Sequence, residues 1–387
     1  MDYMEAKAPG KVLWLGGYSI LERSNVGFVT TIDAYVHATS KLLEANHDIR
    51  ISVPDFSFNR IGAIDKDTGR LNIDRPKELN LLVTTIEVAH AYALSKGKHL
   101  EGLYISTKND RAFSYDSGGR SKSGMGSSSA VVVATVASIL SSYNLDLYEN
   151  DALHKLSQLS HSLATGKIGS GFDIAAATFG SIKYSRYNPD ILKDFPHDYT
   201  PEDIKKIINA KWDYKIEKLS LPKIFSTLMA NFVGGAAITT EMVGKVNNFK
   251  KENPDRYYSL INAMNKHVVA ALEALEKLNM GEEVEYNLKR FKDEFTKNRQ
   301  YLKQLGIESK TDIEDDYATE LINNSEKNGA FLAKLPGSGG RDSIVALTLG
   351  GEKEKSKLRD YWSKNKSLDI LDVNMANTGV QVPTKIE

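Results

Sequence analysis

Between residues 79 and 96 the apolar side chains Leu82, Val83, Ile86, Ala89, Tyr92 and Ala93 recur three or four positions apart, the period of one helix face, and Gly97 ends the run. Residues 149–165 repeat the pattern with Leu153, Leu156, Leu159 and Leu163. Residues 130–140 differ: almost every position is apolar or small, which predicts a helix enclosed on nearly all sides. Short apolar runs bounded by glycine or turn residues predict strands at 10–18, with Lys11 at the mouth of the run, and at 27–38, 47–53 and 102–107. Further strands are predicted at 181–187, 212–219 and 226–233, with a short charged helix at 201–210. Helices dominate 240–305 and 312–328, and a strand, glycine turn, strand, helix and strand close the chain near residue 374.

The interruptions carry the chemistry. Lys122-Ser123-Gly124-Met125-Gly126-Ser127-Ser128-Ser129 runs directly into the enclosed helix. Its two glycines let the backbone turn tightly, and its hydroxyls fall where a helix has unpaired N–H donors. Such a helix start suits a phosphate, with a serine oxygen left for a metal ion. A Gly/Ser linker is the alternative, but a linker seldom leads straight into a buried segment. A second break, at residues 166–173, places Asp173 between a glycine-rich turn and a run of alanines, where it either caps a helix or does chemistry. A third, at residues 334–342, contains Gly337-Ser338-Gly339 between two apolar runs and also reads as a simple hairpin. The charged segment 108–120 reads as a mobile loop or lid before the central turn.

Composition narrows the field. The chain has 387 residues, room for two domains or one large one, and its 50 basic and 50 acidic residues cancel. No global field therefore favours nucleic acid or an anionic membrane, and phosphate recognition must be local. The absence of cysteine excludes disulfides, thiolate metal sites and a cysteine nucleophile, and fits a reducing, cytoplasmic setting. The first residues lack a signal pattern, and residues 130–140, the longest apolar stretch, are too few to span a membrane. The motifs of Walker ATPases, Rossmann dehydrogenases, serine hydrolases and zinc proteases are all missing, and the eight histidines show no metal-ligand spacing.

Three elements in order, Ala8-Pro9-Gly10-Lys11, the central Gly124-Met125-Gly126-Ser127-Ser128-Ser129-Ala130 turn and the late Gly337-Ser338-Gly339-Gly340 turn, resemble the GHMP kinase superfamily. Within it, residues 16–22, the Gly169-Ser170-Gly171-Phe172-Asp173 segment with its alanines, and residues 241–254 are most similar to phosphomevalonate kinases of the bacterial and archaeal type. The resemblance implies an α+β fold with an N-terminal, ribosomal-S5-like, ATP-binding domain at 1–220, a C-terminal ferredoxin-like domain at 221–387, and a cleft between them. It implies phosphoryl transfer from ATP with Mg²⁺ to (R)-5-phosphomevalonate, by a monomer or homodimer that needs neither nucleic acid nor membrane.

Residue by residue, the resemblance gives the ATP phosphates to Gly124, Met125, Gly126, Ser127, Ser128 and Ser129, with Ser128 touching the metal. It makes Asp173 and Lys122 catalytic, the first beside the acceptor oxygen and the second on the transferring group. It assigns Lys11 and Tyr18 to the substrate side. Ser170 and Arg186 are candidates for the acceptor's own phosphate, with a structural salt bridge as the other reading of Arg186, and Gly337, Ser338 and Gly339 line the same side. Three departures stand out: Ser162 where many relatives carry a second metal-binding glutamate, Pro336 where Ser or Thr is usual, and Arg341 where glycine is usual. The alternatives are a mevalonate kinase, a mevalonate diphosphate decarboxylase or a non-catalytic ligand-binding regulator.

Overall fold

The structure is a computed structural model that describes residues 2–43, 48–113, 124–145, 150–234 and 239–386. Residues 114–123, and with them Lys122 and most of the expected lid, lie outside the described residues.

The first sheet is built from β1 (Tyr3–Leu15), β2 (Gly27–Leu43), β3 (Asp48–Val53), β4 (Phe58–Ile64), β5 (Leu71–Asn72) and β6 (Gly102–Asn109), with β7 (Ile182–Ser185) and β8 (Lys215–Lys218) joining through β2. All pairings are antiparallel except β3 with β6. Against it pack α2 (Ser127–Ser142) and α4 (Phe172–Phe179); α1 (Asn80–Ser95) and α3 (Asp151–Thr165) pack on α2 and on each other, and α6 (Pro201–Asn209) packs on those two, with the short α5 (Asp190–Lys193) before it. Helix α2 lies on β1 and β2 and is flanked by α1, α3 and α4, which is why its sequence has no polar face. Val132, Val133, Val136, Ile139 and Leu140 are fully buried, and each contributes about 1.5–3 kcal/mol to the fold. Two of its buried hydroxyls are paired: Ser40 Oγ lies 2.6 Å from Ser138 Oγ and 2.7 Å from Ser142 Oγ, and Ser138 Oγ donates to Met4 O, whereas Thr135 Oγ1 has no partner among the described residues.

The second sheet has the antiparallel order β10 (Leu332–Lys334), β11 (Ser343–Leu349), β9 (Phe225–Phe232), β12 (Leu368–Leu371). Alternate residues of its strands divide between two cores. Leu228, Ala230, Phe232, Ile344 and Ala346 pack with residues of α10 (Asp316–Lys327) and α11 (Glu352–Ser363). Met229, Val345 and Leu347 join the main core with residues of α8 (Pro254–Met280) and α9 (Val284–Glu308). A strand covered on both faces has no polar alternation, which accounts for the continuous apolar run after the late turn. Helix α7 (Thr239–Glu252) completes a smaller cluster around Tyr18, Tyr257 and Leu302.

The chain does not close near residue 374. Two further strands, β13 (Met375–Ala376) and β14 (Gln381–Ile386), return to the first sheet and pair with β2 and β1. Strand β1 also begins earlier than residue 10, because a register shift between Pro9 and Lys11 divides one long strand into two differently patterned halves.

Candidate active site

That shift at Gly10 is where the site begins. Lys11, in register with Thr31 of β2 just past the shift, donates its backbone N–H to Met125 O at 2.9 Å, and its side chain donates to Gly124 O at 2.8 Å. One residue thus pins the central turn twice. Gly126 has φ +80°, and a Cβ there would lie 2.8 Å from Lys11 Cε, so conformation and close packing both require glycine. Helix α2 starts at Ser127, with Ser127 and Ser128 half-buried at its mouth. Ser129, expected with the phosphate-facing hydroxyls, is fully buried and instead donates to Asp173 Oδ2 at 2.5 Å.

Asp173 is the second residue of α4, whose N-cap is Gly171 with φ +78°. Its carboxylate therefore is not the cap; among the described residues Oδ1 accepts the Ile174 N–H, at 3.0 Å. Burial by itself raises the carboxyl pKa, but His161, the Ser129 hydroxyl, Lys11 and the Ile174 amide together hold it below the ordinary carboxylate value. For Lys11, burial outweighs the nearby Asp173 and Asp342 carboxylates and lowers its pKa. Central turn, lysine and carboxylate form one cluster from β1, α2 and α4.

The late turn lies against this cluster. A Cβ on Gly124 would meet Asp342 Cβ at 3.3 Å and Ser343 Oγ at 3.5 Å. Gly337, Gly339 and Gly340 all have positive φ, and Tyr18, in the short 3-10 segment Gly17–Leu21, donates its hydroxyl to Ser338 O at 3.2 Å. Burial raises the pKa of that hydroxyl and keeps it a donor. Arg341, where glycine was expected, turns away to pair with Asp315 and to lie over the Tyr317 ring, so it does not disturb the turn. Arg186 is 7% exposed and makes no salt bridge among the described residues: Nη1 donates to Leu21 O at 2.5 Å and Nη2 to Gly169 O at 2.8 Å. Ser170 is buried, its carbonyl taken by the Tyr184 hydroxyl at 3.0 Å. Gln158, not anticipated from sequence, donates to Gly171 O at 2.8 Å; an amide among the leucines of α3 was its only signal.

Residues 80–181 match the family described as GHMP kinases N terminal domain, and the fold and this cluster agree with that class. Its relatives include phosphomevalonate kinases and, at lower identity, mevalonate kinases. The phosphomevalonate kinase of Candida albicans is 29% identical, covering 90% of this chain and 91% of the relative. That of Saccharolobus solfataricus is 28% identical, with 96% of each chain covered. The structure of Streptococcus pneumoniae phosphomevalonate kinase in complex with phosphomevalonate and AMPPNP superposes with a TM-score of 0.75 at 20% identity, over 96% of this chain and 99% of that one.

Proposed function

We propose that this chain is a phosphomevalonate kinase: an oxygen of the 5-phosphate of (R)-5-phosphomevalonate attacks the γ-phosphorus of ATP, the bond from that phosphorus to the β-bridging oxygen breaks, and ADP leaves. The observation that carries the reading is the hydrogen bond from Ser129, in the first turn of α2, to Asp173. It joins the phosphate-binding turn to the carboxylate of Asp173, in a chain that aligns over nearly its whole length with enzymes of that name.

In this reading the amides at residues 124–129 and the start of α2 hold the ATP phosphates. Lys11 holds the turn and supplies positive charge beside Asp173. Asp173 orients the acceptor phosphate and takes its proton when it carries one. Lys122 is assigned to the transferring group and Tyr18, Gly337, Ser338 and Gly339 to the acceptor's wall. The division near residue 220 puts the cleft between the two sheets. Mg²⁺ comes in with ATP: among the described residues no group of three His, Cys, Asp or Glu side chains is arranged for an ion, and Ser128 offers one hydroxyl beside the nucleotide. Bound there, the ion would neutralise the β- and γ-phosphate oxygens. No described helix is long and apolar enough to cross a membrane, and a cysteine-free, charge-neutral chain suits a cytoplasmic monomer or homodimer.

The test is a coupled ADP-release assay against mevalonate, phosphomevalonate and diphosphomevalonate, with and without Mg²⁺. Turnover is expected with phosphomevalonate only and to require the metal. Equal rates with mevalonate would overturn the substrate assignment while leaving the kinase class in place.

A further inference from the structure

Three consecutive carbonyls of the loop before Asp173 are each held by a different side chain: Gly169 O by Arg186, Ser170 O by Tyr184 and Gly171 O by Gln158. The donors come from α3, from β7 and from the residue just beyond β7, and they are 4%, 0% and 7% exposed for Gln158, Tyr184 and Arg186. A segment with two glycines among three residues has the widest backbone freedom a chain can have. Here each peptide plane in it is fixed from outside. Gly171 lacks a side chain because the Gln158 amide needs the space: a Cβ would sit 2.6 Å from Nε2. Asp173 follows two residues later. Arg186 has a second hold, on Leu21 O, at the end of the segment that carries Tyr18.

We propose that Gln158, Tyr184 and Arg186 are positioning residues for the phosphoryl transfer: they act through the 169–171 backbone on Asp173, and Arg186 also ties that loop to the Tyr18 segment. The inference rests on the function assigned above to Asp173. It gives Arg186 a scaffold role beside its candidacy for the acceptor's phosphate, since two of its five N–H donors are spent on carbonyls. Tyr184→Phe is the cleanest probe, because the ring stays packed while the Ser170 peptide is released. A displacement of about 1 Å in a reacting group costs on the order of 100-fold, so a loosened loop should cost roughly tenfold.

The experiment compares Tyr184→Phe, Gln158→Met and Arg186→Lys, alone and in an Asp173→Asn background, by steady-state kinetics, melting curves and amide hydrogen exchange over the loop. Tyr184→Phe and Gln158→Met should lower kcat about tenfold with KM for ATP changed less than about twofold, and should speed exchange at the loop. In the Asp173→Asn background each should add less than about twofold, because the group they position is gone. Arg186→Lys should lower kcat and raise the acceptor KM together. Unchanged kcat in a folded Tyr184→Phe protein, full additivity with Asp173→Asn, or unaltered loop exchange would overturn the proposal. So would Arg186→Lys raising the acceptor KM alone, which would make it a direct ligand. A wild-type protein without turnover on phosphomevalonate would instead refute the substrate assignment, and the exchange comparison would still decide whether these side chains hold the loop.

Discussion

Lys11, Gln158, Tyr184 and Arg186 reach the central turn and the Asp173 loop from three separate places in the chain, and all four are buried. The late turn is held differently. Gly340 N–H donates to Ile313 O at 2.9 Å, Gly339 N–H to Pro336 O at 3.2 Å, and the neighbouring Arg341–Asp315 pair is partly exposed. Buried polar contacts are stronger and leave an unsatisfied group when one member is lost, whereas exposed pairs are screened and replaceable by water. The side with the proposed base is held by four buried side chains; the late turn is held by backbone contacts, by one buried side chain, Tyr18, on Ser338 O, and by a partly exposed ion pair. Substitutions should therefore be far more damaging on the first side than on the second.

The largest effect expected is at Asp173 itself. Asp173→Asn keeps the shape and can still accept the Ser129 hydroxyl, so the melting temperature should hardly move, while turnover falls by roughly 10²–10⁴-fold. Its pH dependence sharpens the assignment. The second ionisation of a phosphate monoester is near pH 6, and Asp173 is held below the ordinary carboxylate value. Between pH 7 and 5 the acceptor gains a proton that wild-type Asp173, still ionised, can take. The ratio of wild-type to variant rates should grow over that interval. A flat ratio would leave Asp173 an orienting group only, and a variant keeping more than about a tenth of the rate would remove it from the chemistry.

The glycine spacing, the hydroxyls and the enclosed helix made the central turn legible from sequence, because each is a local property: a positive φ at Gly126, an unpaired helix start, a segment without a polar face. Asp173 stood out for the same reason. The residues that hold these parts did not, since nothing local separates Gln158 or Tyr184 from ordinary helix and strand residues until the fold brings them to the 169–171 carbonyls. Ser129 was read with its neighbours as a phosphate contact, but helical rotation turns it inward. The returning strands escaped notice because β13 has two residues and β14 pairs with the opposite end of the chain.

A middle-sized effect should appear in acid. His90 in α1 and His154 in α3 are fully buried, and among the described residues neither ring has a well-formed hydrogen bond, the Gly69 backbone beside His90 opposing its shift only in part. Burial lowers their pKa values to about 4 and about 3, in the second case against the opposing Asp151 charge. A depressed folded value means that the unfolded chain binds the proton first. Stability is therefore full above the unfolded pKa of about 6.5 and is lost as pH falls toward 4 and 3, by up to about 1.4 kcal/mol per pH unit for each histidine. His154 lies between the rings of Phe179 and Tyr214. His154→Phe should thus cost less than about 1.5 kcal/mol at pH 7 and flatten the decline between pH 6 and 4 in urea titrations. An unchanged slope would show that the imidazole is solvated.

The smallest effects belong to the late turn, and two substitutions at one contact separate its parts. Asp315 accepts from Arg341 through Oδ2, and through Oδ1 it caps α10 by accepting the Ala318 N–H at 2.8 Å. Arg341→Gln removes the exposed ion pair and leaves the cap. It should cost no more than about 1 kcal/mol, a cost that shrinks with added salt. Asp315→Ala removes both and adds the loss of a cap, about another 1 kcal/mol that salt does not change. Activity should stay within about threefold of wild type in each, because Gly340 and Ile313 hold the turn through backbone atoms that neither change touches. Melting curves at low and high salt, with the kinase assay on the same preparations, measure all three quantities. A hundredfold loss of activity in Arg341→Gln would mean that the late turn is as tightly coupled to the chemistry as the Asp173 loop, and the contrast between the two would fail.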